Sequence, residues 1–331
     1  PLTVNATSQD AGETMDFNGQ NSTVGVTLNA GAGADSLDGG AGGDTINGNA
    51  GIDTIDGQAN SAVTGADNIS AGAGNDIITV DNDGTAFTVI AGEGANTFTL
   101  TDSATGTSYV GGSGVDTINV NDTGAATTVT YATGGGADIV TIADGAGGKD
   151  TIETGDGNDS ITITDELQNE TVTVNGGNGT DTLVFGMDAI SHTSDLVISN
   201  IEIVDITAGN QGITASTFAG DNVFLLKDSG DTSNVLTITG DTVAGSTINA
   251  SGITVDGFEE ALVTLVGSVG GDSLTGSAYG DTINGLAGND VIIGGAGGDT
   301  IDGGEGVDTI TLGTTADVDN VKMETVLLAA N

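Results

Sequence analysis

Residues 39–56 read GGAGGDTINGNAGIDTID, and residues 294–311 read GGAGGDTIDGGEGVDTIT. Both stretches are two copies of Gly-Gly-x-Gly-x-Asp-x-U-x, with U a large aliphatic residue and Asn49 in place of one glycine. Glycines repeated within six residues permit positive φ and close backbone approach, so GGxGxD is a tight turn. The xUx part is a short strand whose central Ile, Leu or Val points to one side. One apolar residue in nine buries nothing alone. Stacked coil on coil at the ~4.8 Å spacing of paired strands, the U residues make a continuous aliphatic interior. The expected fold class is all-β, a parallel β-solenoid.

Aligned on this template, the aspartates fall at Asp35, Asp44, Asp53, Asp67 and Asp76, then at Asp116, Asp138, Asp150, Asp159 and Asp181. A last block carries Asp272, Asp281, Asp290, Asp299 and Asp308. Spacing is nine in the last block, whereas the motif starts Ala71, Ala91, Gly111 and Thr133 lie 20, 20 and 22 residues apart. One unit there spans two nonapeptides, with the alternate turn rewritten as DNDGTA, TDSATG or NDTGAA.

Stacking these turns poses an electrostatic problem. Carboxylates aligned one coil apart, about 5 Å from one another, repel by roughly 3 kcal/mol per pair at an effective dielectric near 20. A hard divalent cation between adjacent turns removes the repulsion and takes oxygen ligands, namely Asp carboxylates and carbonyls of the glycine-rich turn. Ca²⁺ fits best, because it accepts six to eight oxygens in flexible geometry. About one ion per motif brings about +30, offsetting most of the formal charge of -44. Solvated corners of a metal-free β-helix are the alternative, but solvation alone needs no aspartate at one fixed place in the turn. The fifteen aspartates named above are therefore the candidate metal ligands, with Asp281, Asp290 and Asp299, flanked on neighbouring coils in strict register, expected to be the tightest.

The sequences GGAGGDTIN, GNAGIDTID, GLAGNDVII, GGAGGDTID and GGEGVDTIT resemble the RTX, or haemolysin-type, calcium-binding nonapeptide repeats. The resemblance covers residues 30–184 with interruptions and 267–311 continuously. It implies a right-handed parallel β-roll with two nonapeptides per coil and Ca²⁺ held between turns by the motif aspartates. It also implies type I export and folding only on reaching calcium outside the cell. AGEGANTFT, residues 91–99, departs from the pattern with Asn96 where Asp is expected, and the rewritten turns lack the glycines. Those flanks are expected to hold calcium weakly or not at all.

The organisation expected is an N-terminal β segment or cap (1–29), an interrupted β-roll (30–184), a less metallated solenoid stretch or inserted β segment (185–266), a regular block (267–311) and a C-terminal cap, continuation or export-signal-like segment (312–331). The chain starts at Pro1 without a basic, apolar leader, which suits a processed chain, a fragment, or export without an N-terminal signal.

Charge and motif content narrow the function. Forty-seven acids face three lysines, Lys149, Lys227 and Lys322, and no arginine, so nucleic acid is not a partner. Such acidity often means disorder, but the 36% of hydrophobic residues, in short alternating runs, allow a β-rich core. No apolar run approaches the ~20 residues of a membrane span, and without cysteines the redox compartment is silent. There is no HExxH and no GxSxG, and the lone His192, in AISHTSD, reads as a surface turn residue. No enzyme is expected. Isolated acids such as Asp10, Glu166 and Glu170 read as surface charge.

Two classes remain. One is a secreted, extracellular or cell-surface bacterial structural protein, a surface-layer subunit, since repeats fill the chain and the Gly-, Thr-, Ala- and Asp-rich, Lys-poor composition resembles RTX-bearing surface-layer proteins. Its expected partners are copies of itself and a cell-surface glycan or lipopolysaccharide anchor. The other is the calcium-folded stalk or export module of a larger secreted adhesin, toxin or enzyme. Ice binding would need a regular Thr and Asn array in the turns, which vary here.

Overall fold

The computed structural model describes residues 2–57, 65–81, 86–101, 106–121, 128–143, 149–164, 171–186, 191–192, 196–207, 211–214, 225–227, 235–240, 245–255, 263–313 and 316–322. Among these there is no helix, and the strands pair in parallel, one coil on the next, to form a β-solenoid of about 11 turns. The chain divides into two compact units, Pro1–Val184 and Phe185–Asn331. The segment 323–331, which contains METVLLAAN, lies outside the described residues, as do Glu166 and Glu170.

In the first unit, alternate strands build two walls. One wall stacks Val26–Asn29, Thr45–Ala50, Asn68–Ala73, Thr88–Glu93, Thr107–Gly112, Val129–Gly134, Lys149–Glu153 and Thr171–Asn175. The other stacks Ser36–Asp38, Thr54–Asp56, Ile77–Asp81, Thr97–Thr101, Thr117–Asn121, Ile139–Ile142 and Ser160–Ile163. Register fixes the coil length. Thr27 pairs with Thr45 and Ser36 with Thr54, 18 residues apart, which is two nonapeptides. Where the turns are rewritten the coil lengthens, as in Thr97 with Thr117 and Thr117 with Ile139.

The U residues form the interior. Leu37, Ile46, Ile55, Ile69, Ile78, Ile118, Val140, Ile152, Ile161 and Leu183 are all buried. The longer strands of the lengthened coils add a second inward residue, such as Val80, Leu100, Val120 and Ile142. Aromatic side chains fill the same interior mid-way along the unit. Phe98 stacks on Tyr109 with centroids 4.9 Å apart and meets Phe87 edge-on at 6.5 Å.

In the second unit, the regular block returns to 18-residue coils, with Thr282 paired to Thr300 and Val291 to Thr309. Leu274, Ile283, Ile292 and Ile301 are its buried U residues. Upstream the coils are longer, with Gly212 paired to Thr237 and Thr237 to Thr264. His192, expected in a turn, lies instead in the strand Ser191–His192, which pairs with Gly212 and Ile213.

Candidate calcium-binding turns

The described motif turns sit between successive strands and bring their aspartates inward. In most of these turns the tight stacking depends on a glycine two residues before the aspartate, or before Asn96, with Tyr279 ahead of Asp281 as the exception. At Gly94, φ is +116° and an added Cβ would lie 1.8 Å from the carbonyl oxygen of Gly74. At Gly136 the corresponding approach, to Gly114, is 2.0 Å. No side chain fits between successive turns there.

Of the fifteen candidate ligands, every one is buried except Asp308, which is half-buried. They do not pair directly with one another. Except at Asp281, the Oδ1 of each accepts the backbone N–H of the equivalent residue one coil earlier, so charge and backbone alternate along the stack. One row of the first unit runs Asp35 to Asp53 at 2.9 Å, Asp53 to Asp76 at 2.8 Å, Asp116 to Asp138 at 2.7 Å, Asp138 to Asp159 at 2.8 Å and Asp159 to Asp181 at 2.9 Å, each N–H named first. Asn96 closes the gap, accepting from Asp76 and donating to Asp116. On the opposite wall, Val26 donates to Asp44, Asp44 to Asp67 and Val129 to Asp150. There the register puts Phe87, Thr107, Val129 and Val172 where aspartates would stand, so this row is acidic only at Asp44, Asp67 and Asp150. The turns before Asp67 and Asp150 lie partly outside the described residues.

In the second unit, Ser246 donates to Asp272, Asp272 to Asp290, Asp290 to Asp308 and Asp281 to Asp299. Asp299 donates to Asp319 at 3.1 Å. Asp319 continues the row although ADVDN carries no glycine motif, and template matching misses it. The cue in the sequence is its 20-residue spacing from Asp299, ahead of the strand Asn320–Lys322.

The second carboxylate oxygen separates the turns. The Oδ2 atoms of Asp44, Asp53, Asp76, Asp159, Asp290 and Asp299 are buried with no hydrogen-bond partner. The Oδ2 atoms of Asp116 and Asp138 are likewise buried without a partner, and the nearby Thr133 hydroxyl donates to the carbonyl of Thr154. A buried anionic oxygen left unsatisfied is expensive. Burial accordingly pushes the Asp44 carboxyl up to about 7 and those of Asp53 and Asp116 to about 6, with the neighbouring acids Asp67, Asp76 and Asp138 adding repulsion. Burial also raises Asp76, Asp290 and Asp299, against the N–H donors from the preceding coil.

Asn96 reveals what the orphan oxygens face. Its side-chain Nδ2 donates to the carbonyl of Gly94 at 3.2 Å and approaches that of Gly92 at 3.5 Å, both in its own turn. In an aspartate turn an acceptor stands where Asn96 has its donor. A carboxylate oxygen and turn carbonyls, with no proton between them, form an oxygen cluster suited to a hard cation. Among the described residues no three acidic or histidine side chains converge, so carbonyls and water have to complete any coordination shell.

Asp272 and Asp281 differ. Their carboxylates accept from the backbone N–H and hydroxyl of Ser268 and Ser277 in their own turns. The expected trio of tightest ligands thus splits: Asp290 and Asp299 have an open oxygen, and Asp281 does not.

A family model of the RTX calcium-binding nonapeptide repeat matches residues 27–57, 61–83, 142–162 and, in overlapping copies, 266–301, 275–310 and 285–318. Those segments are similar to RTX calcium-binding nonapeptide repeats. RTX nonapeptide repeats bind calcium, and the oxygen clusters fit that ion. The stretch containing Phe87, Asn96, Thr107 and Val129 falls between the matched segments, as do the turns of Asp116, Asp138 and Asp181. No curated protein matches the chain.

Proposed function

We propose that this chain is a calcium-folded extracellular structural protein, a bacterial surface-layer subunit that assembles with copies of itself. The observation that carries the reading is the set of buried, unpartnered Oδ2 atoms repeated along both units. A structure that places so many carboxylates inside its own stack is stable at neutral pH only with positive charge supplied from outside, and the three lysines cannot supply it. The ions are held by the Oδ2 atoms of Asp44, Asp53, Asp76, Asp159, Asp290 and Asp299 together with carbonyls of their turns. Calcium contributes charge neutralisation and cross-links one coil to the next.

RTX-repeat proteins are typically secreted by bacteria, where millimolar calcium meets the exported chain. Secretion of this chain follows from that likeness. We expect no enzymatic role, because carboxylates committed to a cation are blocked as acid or base. No helix among the described residues is long and apolar enough to cross a membrane. Attachment to a cell-surface glycan or lipopolysaccharide is part of the proposal.

Lateral assembly follows from the charge. Walls at -44 repel within the ~8 Å screening length of physiological salt. Contacts between copies are therefore bridged by calcium or made by uncharged outward residues such as Thr79, Thr99, Asn119 and Thr141, which share one register. Electron microscopy tests the reading. Ordered arrays should form in millimolar calcium, disperse on chelation and not return in sodium chloride at equal ionic strength. Single rods at every calcium concentration would favour a stalk or export module of a larger secreted protein.

A further inference from the structure

The RTX match runs through the turns of Asp272 and Asp281 as it does through those of Asp290 and Asp299, yet the geometry sets the two pairs apart. In the calcium-type turns the residue four before the aspartate has positive φ, +73° at Leu286 and +110° at Gly295. Ser268 and Ser277 occupy that position without positive φ. Each turns its N–H onto the carboxylate, Ser268 at 2.7 Å and Ser277 at 2.6 Å, and each hydroxyl donates to it as well, at 2.8 and 3.0 Å. The same hydroxyls accept the N–H of Gly270 and Tyr279, both at 3.1 Å, which closes the turn on itself. Tyr279 also stands where neighbouring turns require glycine, as at Gly297 with its φ of +102°. Asn96 reaches the same end differently. It keeps the left-handed residue, Gly92 at +94°, and places an amide donor where the other turns have an orphan oxygen.

We propose that the turns of Asn96, Asp272 and Asp281 are closed by their own side-chain donors and bind no calcium, so that the stack contains built-in metal-free rungs beside its calcium rungs. The assignment rests on the reading that the orphan-oxygen turns bind calcium. Two donors onto one carboxylate satisfy the lone pairs that a cation would take, and an amide in place of a carboxylate removes the charge that attracts it. The design lets a short stretch hold its register before the cation arrives.

Calcium stoichiometry of the full chain, read by equilibrium dialysis with circular dichroism as the check on folding, tests the assignment. Asn96→Asp should gain one ion, because the backbone of that turn is already of the calcium type. Asp299→Asn should lose at least one ion, whereas the isosteric Asp281→Asn should lose none. An unchanged count in folded Asn96→Asp, or equal losses in Asp281→Asn and Asp299→Asn, would overturn the assignment, and the asparagine pair decides it if Asn96→Asp fails to fold. A wild-type chain that binds no calcium would instead overturn the reading on which the assignment rests.

Discussion

The backbone N–H of Asp53 donates to Oδ1 of Asp76 across 2.8 Å, one coil on, while Oδ2 of both residues is buried without a partner. Half of each carboxylate is built into the stack, and the other half is left for an ion. The backbone thereby fixes the position of the charge, and the ion decides whether that position is tolerable.

Without calcium, the fold should depend on pH with an unusual sign. Burial holds Asp44 near 7 and Asp53 near 6, above the ~4 of the unfolded chain. The folded state then keeps protons that the unfolded state sheds, so this contribution is fully present below pH ~4 and is lost as pH rises through 6 to 7. Calcium-free protein should gain β-structure between pH 8 and pH 5, followed by circular dichroism, and saturating calcium should flatten the profile. A calcium-free stability that rises with pH over this range would contradict the assignment.

Removing a ligand and removing a donor should separate. Asp290→Ala deletes a charged oxygen donor and should weaken calcium binding in its block by about tenfold or more. Asn96→Ala deletes hydrogen bonds in a turn without a carboxylate. It should cost about 1–3 kcal/mol of stability and leave calcium affinity unchanged. Calcium titration with a fluorescent competitor, paired with urea unfolding, distinguishes the two, and equal effects on affinity would mean that the register is wrong.

The glycine column should be intolerant of any side chain. Gly94→Ala places a Cβ at positive φ against the carbonyl of Gly74 and should cost at least about 2 kcal/mol in thermal unfolding with calcium present. Gly12→Ala, with nothing within 4 Å, is the control and should be neutral. Equal melting temperatures would show that the coils are less tightly stacked than this geometry requires.

The nonapeptide made much of this legible beforehand. Glycine spacing located the turns, and U residues such as Ile46 and Ile292 marked the interior, because both signals are local. The use of Oδ1 by the preceding coil was not legible, since it depends on backbone direction across 18 to 26 residues. Asp319 escaped because it holds its place in the row by register, with no motif around it. Ser268 and Ser277 look like tolerable variants of a glycine position, and only their hydrogen bonds reveal that they consume the neighbouring aspartate. The aromatic trio Phe87, Phe98 and Tyr109 was equally silent, because the pattern asks only for something large and apolar.

Far-ultraviolet circular dichroism during chelation and restoration of calcium tests the central claim most directly, namely that the buried carboxylates make the fold conditional on the ion. At neutral pH, chelator should abolish most of the β signal, and calcium at ~10⁻⁴ to 10⁻³ M should restore it where sodium chloride of equal ionic strength does not. A spectrum unchanged by chelator would contradict the claim.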